Sequence, residues 1–297
     1  MSAINAFAIV AMLLCGVACA YFYRIQRRGR DVGSVRKAID GAENLLKLIK
    51  LIQQHRGASA AFLSGDASFR LKMDALQAAV QSLTPKLQEL ARAESTFLRP
   101  VFSVHDMGVL LHRWKELLER LDSSSVDQSI TAHSQLISKV LEWLAGLGEA
   151  RVEIPMGERL PVDLARNFAH RLPALAECLG QSRALGSAVT ARGECNSVSR
   201  VRLMFLVARA KTLLDQAASQ SKDPSAAVTV MAVEQFLATI RTGILEKNTV
   251  GMDAGSYFAQ ATSAIDAVFA WIDACKQRMT ATLETEESLV VKTDRSP

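Results

Sequence analysis

Apolar residues recur at intervals of three and four positions along almost the whole chain, and no segment shows sustained alternation of apolar and polar residues. This spacing is the period of an amphipathic helix, so the sequence predicts an all-α protein. Pro85 is expected to break or kink the second helix. The expected helices after the N-terminal one, which runs to about residue 64, are 68–94, 105–121, 126–145, 162–191, 197–219, 224–247 and 256–284.

Turn-forming residues are densest in the middle of the chain. Five of them fall within sixteen positions: Gly146, Gly148, Pro155, Gly157 and Pro161. Such a cluster predicts a linker, with four helices on each side of it. Because short connections make sequential helices neighbours, we expect two linked antiparallel four-helix bundles, at 31–147 and 148–285. The polar tail, 286–297, is expected to be frayed.

The segment from Ile4 to Tyr23 contains no charged residue. Its roughly 20 residues, at about 1.5 Å each, reach the roughly 30 Å of a bilayer core. Four arginines follow directly within an anchor region of residues 1–30: Arg24, Arg27, Arg28 and Arg30. The positive-inside rule then predicts a single-pass protein of the inner (plasma) membrane with a cytoplasmic C-terminal domain, a periplasmic domain being the alternative.

A cleaved signal peptide is the main alternative to this anchor, because Ala18-Cys19-Ala20 resembles a small-residue cleavage site. A signal peptide carries its basic residues before the apolar stretch, however, and here they follow it. The charge order therefore favours a membrane anchor.

The composition argues against several classes of function. The 297 residues include five cysteines, an odd number, with no CxxC or Cys/His cluster, so neither a disulfide framework nor a zinc site is expected. The five histidines form no HExxH motif, and the chain has neither a nucleophile elbow nor a glycine-rich phosphate loop after a strand. We therefore expect no metal, no cofactor and no enzymatic activity, and nucleic acid is not an expected partner despite the net charge of +5.

Two arginines fall on apolar helix faces. Arg56 shares a face with Ile49 and Ile52, and Arg183 shares one with Leu179. A buried guanidinium does not deprotonate, so each needs an anion: a carboxylate, a lipid head group or a bound ligand. A structural Arg–Glu pair is therefore one reading. The carboxylates that we considered for it are Glu43, Asp74 and Glu177.

Three stretches resemble the nitrate- and nitrite-sensing (NIT) domain family. Residues 46–74 (LKLIKLIQQHRGASAAFLSGDASFRLKMD) resemble its opening Gln-x-x-Arg-Gly helix and Ser-Gly turn. Residues 178–193 (CLGQSRALGSAVTARG) resemble the Gly-x-x-Arg motif of its second half, and residues 255–272 (GSYFAQATSAIDAVFAWI) resemble its closing motif. Their order and spacing extend the resemblance over about 40–285.

The resemblance implies two linked four-helix bundles with a nitrate or nitrite ion bound between them. Nitrate is planar with three acceptor oxygens, which suits converging arginines. Residue by residue, Arg56 and Arg183 carry over with their motifs as ligand contacts. Arg241, on a helix face with Leu237 and Ile244, is a weaker third candidate, and His55 is a further one. Family members can pair two adjacent arginines in the first motif, whereas here His55 precedes Arg56, which implies a reduced positive field or pH-dependent binding.

The function that the resemblance implies is a membrane-anchored sensor of nitrate or nitrite. Family members sense on behalf of a kinase, cyclase, chemotaxis or RNA-binding module, but about a dozen residues follow Thr285. We therefore expect signalling through a separate, unidentified output protein or through a homodimer. The alternative is a membrane-tethered helical scaffold that binds protein partners and no small ligand.

Overall fold

The computed structural model describes residues 3–294 apart from residues 220, 222 and 248, and for residues 3–31 and 290–294 the description covers the backbone alone. These residues form eight helices and no strand, which confirms the all-α prediction. The helices are α1 (Ala3–Leu63), α2 (Arg70–Glu94), α3 (Val104–Arg120), α4 (Val126–Gly148), α5 (Val162–Arg166 and Leu172–Arg192), α6 (Ser197–Ala218), α7 (Pro224–Ile240) and α8 (Ala254–Asp294).

Shorter helical segments extend several of these helices. A π-helical turn, Glu149–Glu153, carries α4 on to Ile154–Met156, and another, Asn167–Arg171, joins the two parts of α5. A third, Arg241–Leu245, ends α7. Single 3₁₀ turns occupy Ala67–Phe69, Leu121–Ser123 and Gly157–Arg159.

The helix ends follow from local sequence chemistry. Ser103 and Ser125 form capping boxes that satisfy the first free amides of α3 and α4. Pro224 begins α7, where its missing N–H costs nothing. Gly193 ends α5 in the left-handed conformation, with φ +73°. Helix α2 continues through Pro85, so of the break or kink that we expected there, the break does not occur.

The predicted linker is wrong over most of its length. Gly146 and Gly148 lie inside α4, where a Cβ would come within 2.8 Å of Val101 Cγ1 and 2.3 Å of Ala169 Cβ respectively. These glycines therefore allow close helix packing and do not form turns. The chain turns at Gly157 instead, with φ +51°, which only glycine adopts easily.

The predicted frayed tail is also wrong as far as residue 294, because α8 runs to Asp294. This part of α8 lies antiparallel to α1. Arg36 Nη2 donates to Glu287 Oε2 at 2.9 Å, and Lys276 Nζ donates to Glu43 Oε2 at 2.5 Å. Glu287, a polar residue of the predicted tail, thus pairs with the neighbouring helix.

Helix α1 packs along α2 and α4, and α5 packs along α6 and α8. One hydrophobic cluster contains residues of both groups, among them Leu45, Trp143, Leu175 and Trp271. The core is therefore continuous across the middle of the chain. The approach of α5 to α8 is tightest at Gly186, where a Cβ would lie 2.0 Å from the hydroxyl of Tyr257.

The predicted membrane segment, Ile4–Tyr23, belongs to α1, but its side chains lie outside the described residues. Within the part of the chain that was searched, Pro224–Leu245 is long and apolar enough to cross a bilayer. This is a statement of length and composition, and in this structure 33% of that segment is buried. Phe236 and Ile240 on it belong to the core.

Candidate anion-binding site between helices α1 and α5

Arg56 is one of the largest fully buried side chains described, with 1% of its surface exposed. Its Nη1 donates to Glu177 Oε1 at 2.6 Å, and its Nη2 donates to Glu177 Oε2 at 3.2 Å. Nη1 also donates to Ser134 Oγ at 2.8 Å. Of the three carboxylates considered from the sequence, Glu177 on α5 is thus the partner, and the buried charge is paired.

Glu177 is held as firmly as the arginine. Gln53 Nε2 donates to its Oε2 and Gln181 Nε2 donates to its Oε1, both at 2.8 Å. With the two bonds from Arg56, each carboxylate oxygen accepts two hydrogen bonds. Charge-assisted bonds of this kind stabilise the ionised carboxylate and fix its orientation.

Glycines let the two helices approach each other beside these arginines. A Cβ on Gly180 of α5 would lie 2.8 Å from Arg56 Nη2, and a Cβ on Gly57 of α1 would lie 3.9 Å from Arg183 Nη2. Each helix therefore presents a glycine to the arginine of the other. Gly180 is the tighter contact, since any larger residue would push against the guanidinium.

Arg183 has a different environment. Its Nη1 donates to Thr262 Oγ1 at 3.0 Å, and its guanidinium carbon lies 4.9 Å from the ring centroid of Phe258. Burial and then the charge of Arg56 lower the pKa of Arg183, although a guanidinium stays protonated. Its direct contacts in the described part of the chain are thus a hydroxyl and a ring, and include no carboxylate.

Both arginines line a cavity of about 190 Å³ between α1 and α5. Much of its wall is apolar, formed by alanines of α1 and α5, by Val126 and Ile130 of α4, and by Phe258 of α8. Ser187 also lines it, and the buried Oγ of Ser187 has no hydrogen-bond partner in the part of the chain that the structure describes. Since one water takes up about 30 Å³, a small anion and a few waters fit this space.

The family model described as nitrate and nitrite sensing (NIT) matches residues 47–284, most of the chain. The chain belongs to the NIT family. The solved structure of the NasR transcription antiterminator is similar in fold, with a TM-score of 0.67 over 92% of this chain and 75% of that one. The two sequences are 16% identical. A search of curated proteins gave no match.

His55 is the neighbour of Arg56 in the sequence, but its side chain does not line the cavity. The side chain is fully buried and contacts α4, where its Nδ1 lies 2.8 Å from His133 Nε2. His133 Nδ1 lies 2.7 Å from the carbonyl oxygen of Ser129, so Nδ1 carries the proton there and Nε2 accepts from His55. His55 Nε2 in turn accepts from Gln77 Nε2 at 3.2 Å.

Burial holds both histidines neutral. Desolvation lowers the pKa of His55 to about 4 and that of His133 to about 3. His55 therefore adds no positive charge near Arg56 at neutral pH, and the structure does not bring it into the cavity as a ligand contact.

Arg241 is not brought to the cavity either. It is exposed at the end of α7, whereas Leu237 and Ile244, with which it was expected to share a face, are buried. Arg241 begins the π-helical turn, which has more residues per turn than an α-helix. The amide of Arg241 still donates to the Leu237 carbonyl, as in an α-helix, so the departure from the α-helical period falls between Arg241 and Ile244.

Sequence reasoning missed three residues of the site: Ser187, Phe258 and Thr262. Phe258 and Thr262 are four positions apart in the closing motif, on one face of α8. Their spacing was thus visible, although nothing in the sequence showed that this face meets Arg183. Ser187 lies one helical turn after Arg183, and only the packing reveals that its hydroxyl is unpaired.

A larger concavity is a groove of about 1050 Å³ between α3 and α4. Charged side chains of both signs line it, such as Arg113, Glu116, Lys139 and Glu142. These residues are solvated and are not paired with a buried charge. The smaller cavity beside the arginines is therefore the stronger candidate site of this NIT domain.

Proposed function

We propose that this protein is a membrane-anchored sensor that binds nitrate or nitrite in the cavity between α1 and α5. The observation that carries the proposal is that two polar side chains with unused hydrogen-bond donors lie at the same cavity. Among the described residues, Arg183 contacts a hydroxyl and a ring but no carboxylate, and the buried hydroxyl of Ser187 has no partner. An anion with several acceptor oxygens would satisfy both.

The chemistry of a trigonal oxyanion suits these groups. A guanidinium offers five N–H donors in a planar fork, and Arg183 uses one of its Nη1 donors on Thr262. Arg56 spends most of its donors on Glu177 and Ser134, so it forms the positively charged wall of the cavity. Chloride is spherical and offers no separate acceptor atoms, so it would bind less well.

We further propose that the helices form two four-helix bundles, α1–α4 and α5–α8, with the anion between them. The packing of α1 on α2 and α4, and of α5 on α6 and α8, supports this grouping. The arginines come from one helix of each group. Binding would then alter how the two groups meet, provided that the anion has a different affinity for the two arrangements.

Helix α1 offers a route for the signal. It runs as one helix from Ala3 to Leu63, and so joins the proposed inner-membrane segment, Ile4–Tyr23, to Arg56 without a break. A change at the cavity would reach the membrane segment, a second copy of the chain or a separate output protein. Four arginines follow the membrane segment on its C-terminal side: Arg24, Arg27, Arg28 and Arg30. By the positive-inside rule, the domain after them would lie in the cytoplasm.

A ligand-free helical scaffold is the second candidate. The observation in its favour is the ion pair of Arg56 and Glu177, which is complete without any ligand. On this reading Arg183 would be a structural residue held by Thr262 and Phe258.

The two candidates differ in thermal stability with and without nitrate. We expect millimolar nitrate or nitrite, at fixed ionic strength, to raise the melting temperature of the full-length chain in detergent, and chloride to do much less. A ligand at about a hundredfold excess over Kd stabilises the native state by about 2.7 kcal/mol. Arg183→Gln should remove the response.

Arg202→Gln is the matched control, because Arg202 is exposed on α6 and does not line the cavity. This variant should keep the full nitrate response. A melting temperature of the unchanged chain that is indifferent to both anions would favour the scaffold.

A further inference from the structure

We infer that Glu177 sets the valence of the bound anion, so that the cavity accepts a monovalent oxyanion and rejects a divalent one such as sulfate. This inference rests on the proposed function, since it concerns the same cavity. It starts from the charges of the buried groups, which the structure allows one to count.

Two ionised side chains, Arg56 and Arg183, line the cavity, and a third, Glu177, lies behind it on Arg56. Arg56 and Arg183 each contribute +1 and Glu177 contributes −1, which leaves a net charge of +1. Asp266 on α8 acts electrostatically on Arg183 more strongly than Glu177 does, but it is exposed, so it is not one of the buried charges counted here, and solvent and salt reduce its effect on a bound anion. A monovalent anion therefore neutralises the buried charges, and a divalent anion leaves one negative charge in excess.

Glu177 cannot readily move aside for a ligand. Its side chain is 7% exposed, and its two oxygens together accept four hydrogen bonds, from Arg56, Gln53 and Gln181. Displacing it would leave several buried donors without an acceptor, which is costly. Glu177 thus acts as a fixed negative charge behind the cavity.

The attraction between the net charge of these groups and an anion grows in proportion to the charge of the anion, whereas the cost of taking the anion out of water grows with the square of that charge. By reducing the net charge to +1, Glu177 leaves too little attraction to offset the desolvation of a divalent ion. Hydrogen-bond geometry alone would not reject sulfate, because its oxygens accept from a guanidinium as well as those of nitrate. The rejection of sulfate would therefore depend on charge.

The test is an isosteric change, Glu177→Gln, in the full-length chain in detergent. Calorimetric titration with sodium nitrate and sodium sulfate, at fixed ionic strength, gives the two dissociation constants. We expect the ratio of the sulfate constant to the nitrate constant to fall at least tenfold in the variant. An unchanged ratio, in a variant that still binds nitrate, would overturn the inference.

The double variant Arg56→Gln, Glu177→Gln separates charge from arginine number. It removes both members of the buried pair, a change that proteins tolerate far better than removal of one, so it gives a result even if Glu177→Gln does not fold. Its net cavity charge is again +1. We expect it to bind nitrate within tenfold of the unchanged chain and still to reject sulfate.

The single variant Arg56→Gln should lose nitrate binding, because Glu177 then cancels the charge of Arg183. Loss of nitrate binding in the double variant, or a preference of that variant for sulfate, would overturn the role of Glu177. Failure of the unchanged chain to bind nitrate would instead contradict the proposed function.

Discussion

Arg56 and Arg183 occupy similar positions in the two halves of the chain, yet their surroundings differ. Arg56 is fully buried and paired with a carboxylate through two hydrogen bonds. Arg183 is half-buried, and it contacts a threonine hydroxyl and a phenylalanine ring. An arginine on an apolar helix face can therefore be paired with a carboxylate or left without one, and the facing helix decides which; we propose that the one left without a carboxylate binds the anion.

The difference originates at one pair of positions. Glu177 lies six residues before Arg183, and the position six residues before Arg56 is Lys50. Glu177 therefore reaches across to Arg56, but α1 has no equivalent carboxylate to reach Arg183. The ammonium of Lys50 lies instead 5.0 Å from the ring centroid of Phe269. This asymmetry leaves Arg183 with the charge that an anion can use.

The largest difference between the two arginines should appear in the free energy of unfolding when Arg56 is changed. Arg56→Gln should lower the free energy of unfolding by about 3–5 kcal/mol, because it leaves the buried carboxylate of Glu177 without its cation. Arg183→Gln should cost less than about 1 kcal/mol in the absence of ligand, since it removes one bond to a hydroxyl. Chemical denaturation of both variants measures this difference. Equal losses would show that the two arginines play the same structural role.

The second prediction concerns stability at acid pH and the buried pair His55 and His133, the first of which precedes Arg56 in the sequence. The folded-state pKa values of about 4 for His55 and about 3 for His133 lie below the usual 6.5. Between the folded-state pKa values and 6.5, the unfolded chain binds more protons than the folded chain. The contribution of the two neutral histidines to stability is therefore present above about pH 6.5 and is lost as the pH falls. The expected loss at pH 5 is about 2 kcal/mol for each histidine.

Denaturation at pH 7 and pH 5 checks this prediction. His55→Gln should reduce the acid-induced loss by about one half. His112→Gln is the control, because His112 is exposed on α3 and should leave the loss unchanged. A stability that does not vary between these two pH values would contradict a buried neutral pair.

A smaller effect, on nitrate affinity, is expected from the hydroxyl of Ser187 at the same cavity as Arg183. Ser187→Ala removes the unpaired hydroxyl of the cavity, so it should weaken nitrate binding about fivefold, the equivalent of one hydrogen bond of about 1 kcal/mol. The melting temperature without nitrate should stay the same or rise, because no protein hydrogen bond is lost. Ser64→Ala is a useful comparison, since the hydroxyl of Ser64 also lies at the cavity but bonds to the carbonyl oxygen of Ala60. Titration calorimetry of both variants should show an effect for Ser187 alone.

Local sequence patterns were enough to predict the helices and which arginines face the interior. The spacing of apolar residues gave the eight helices and most of their ends, because helix period and capping are local properties. The same spacing placed Arg56 and Arg183 towards the interior. It failed where one local signal fits two structures, since Gly146 and Gly148 serve helix packing as readily as turns. It also failed at Arg241, which lies on the surface at the start of a π-helical turn.

Only the tertiary structure decided which charges meet. Glu177 was one of three carboxylates considered for Arg56, and its choice depends on the contact of α5 with α1 across 121 residues. The unpaired hydroxyl of Ser187 and the contacts of Arg183 with Phe258 and Thr262 depend on the same packing. Side-chain type and helix period are fixed by neighbours in the chain, whereas the partner of a buried charge is fixed by which helices touch.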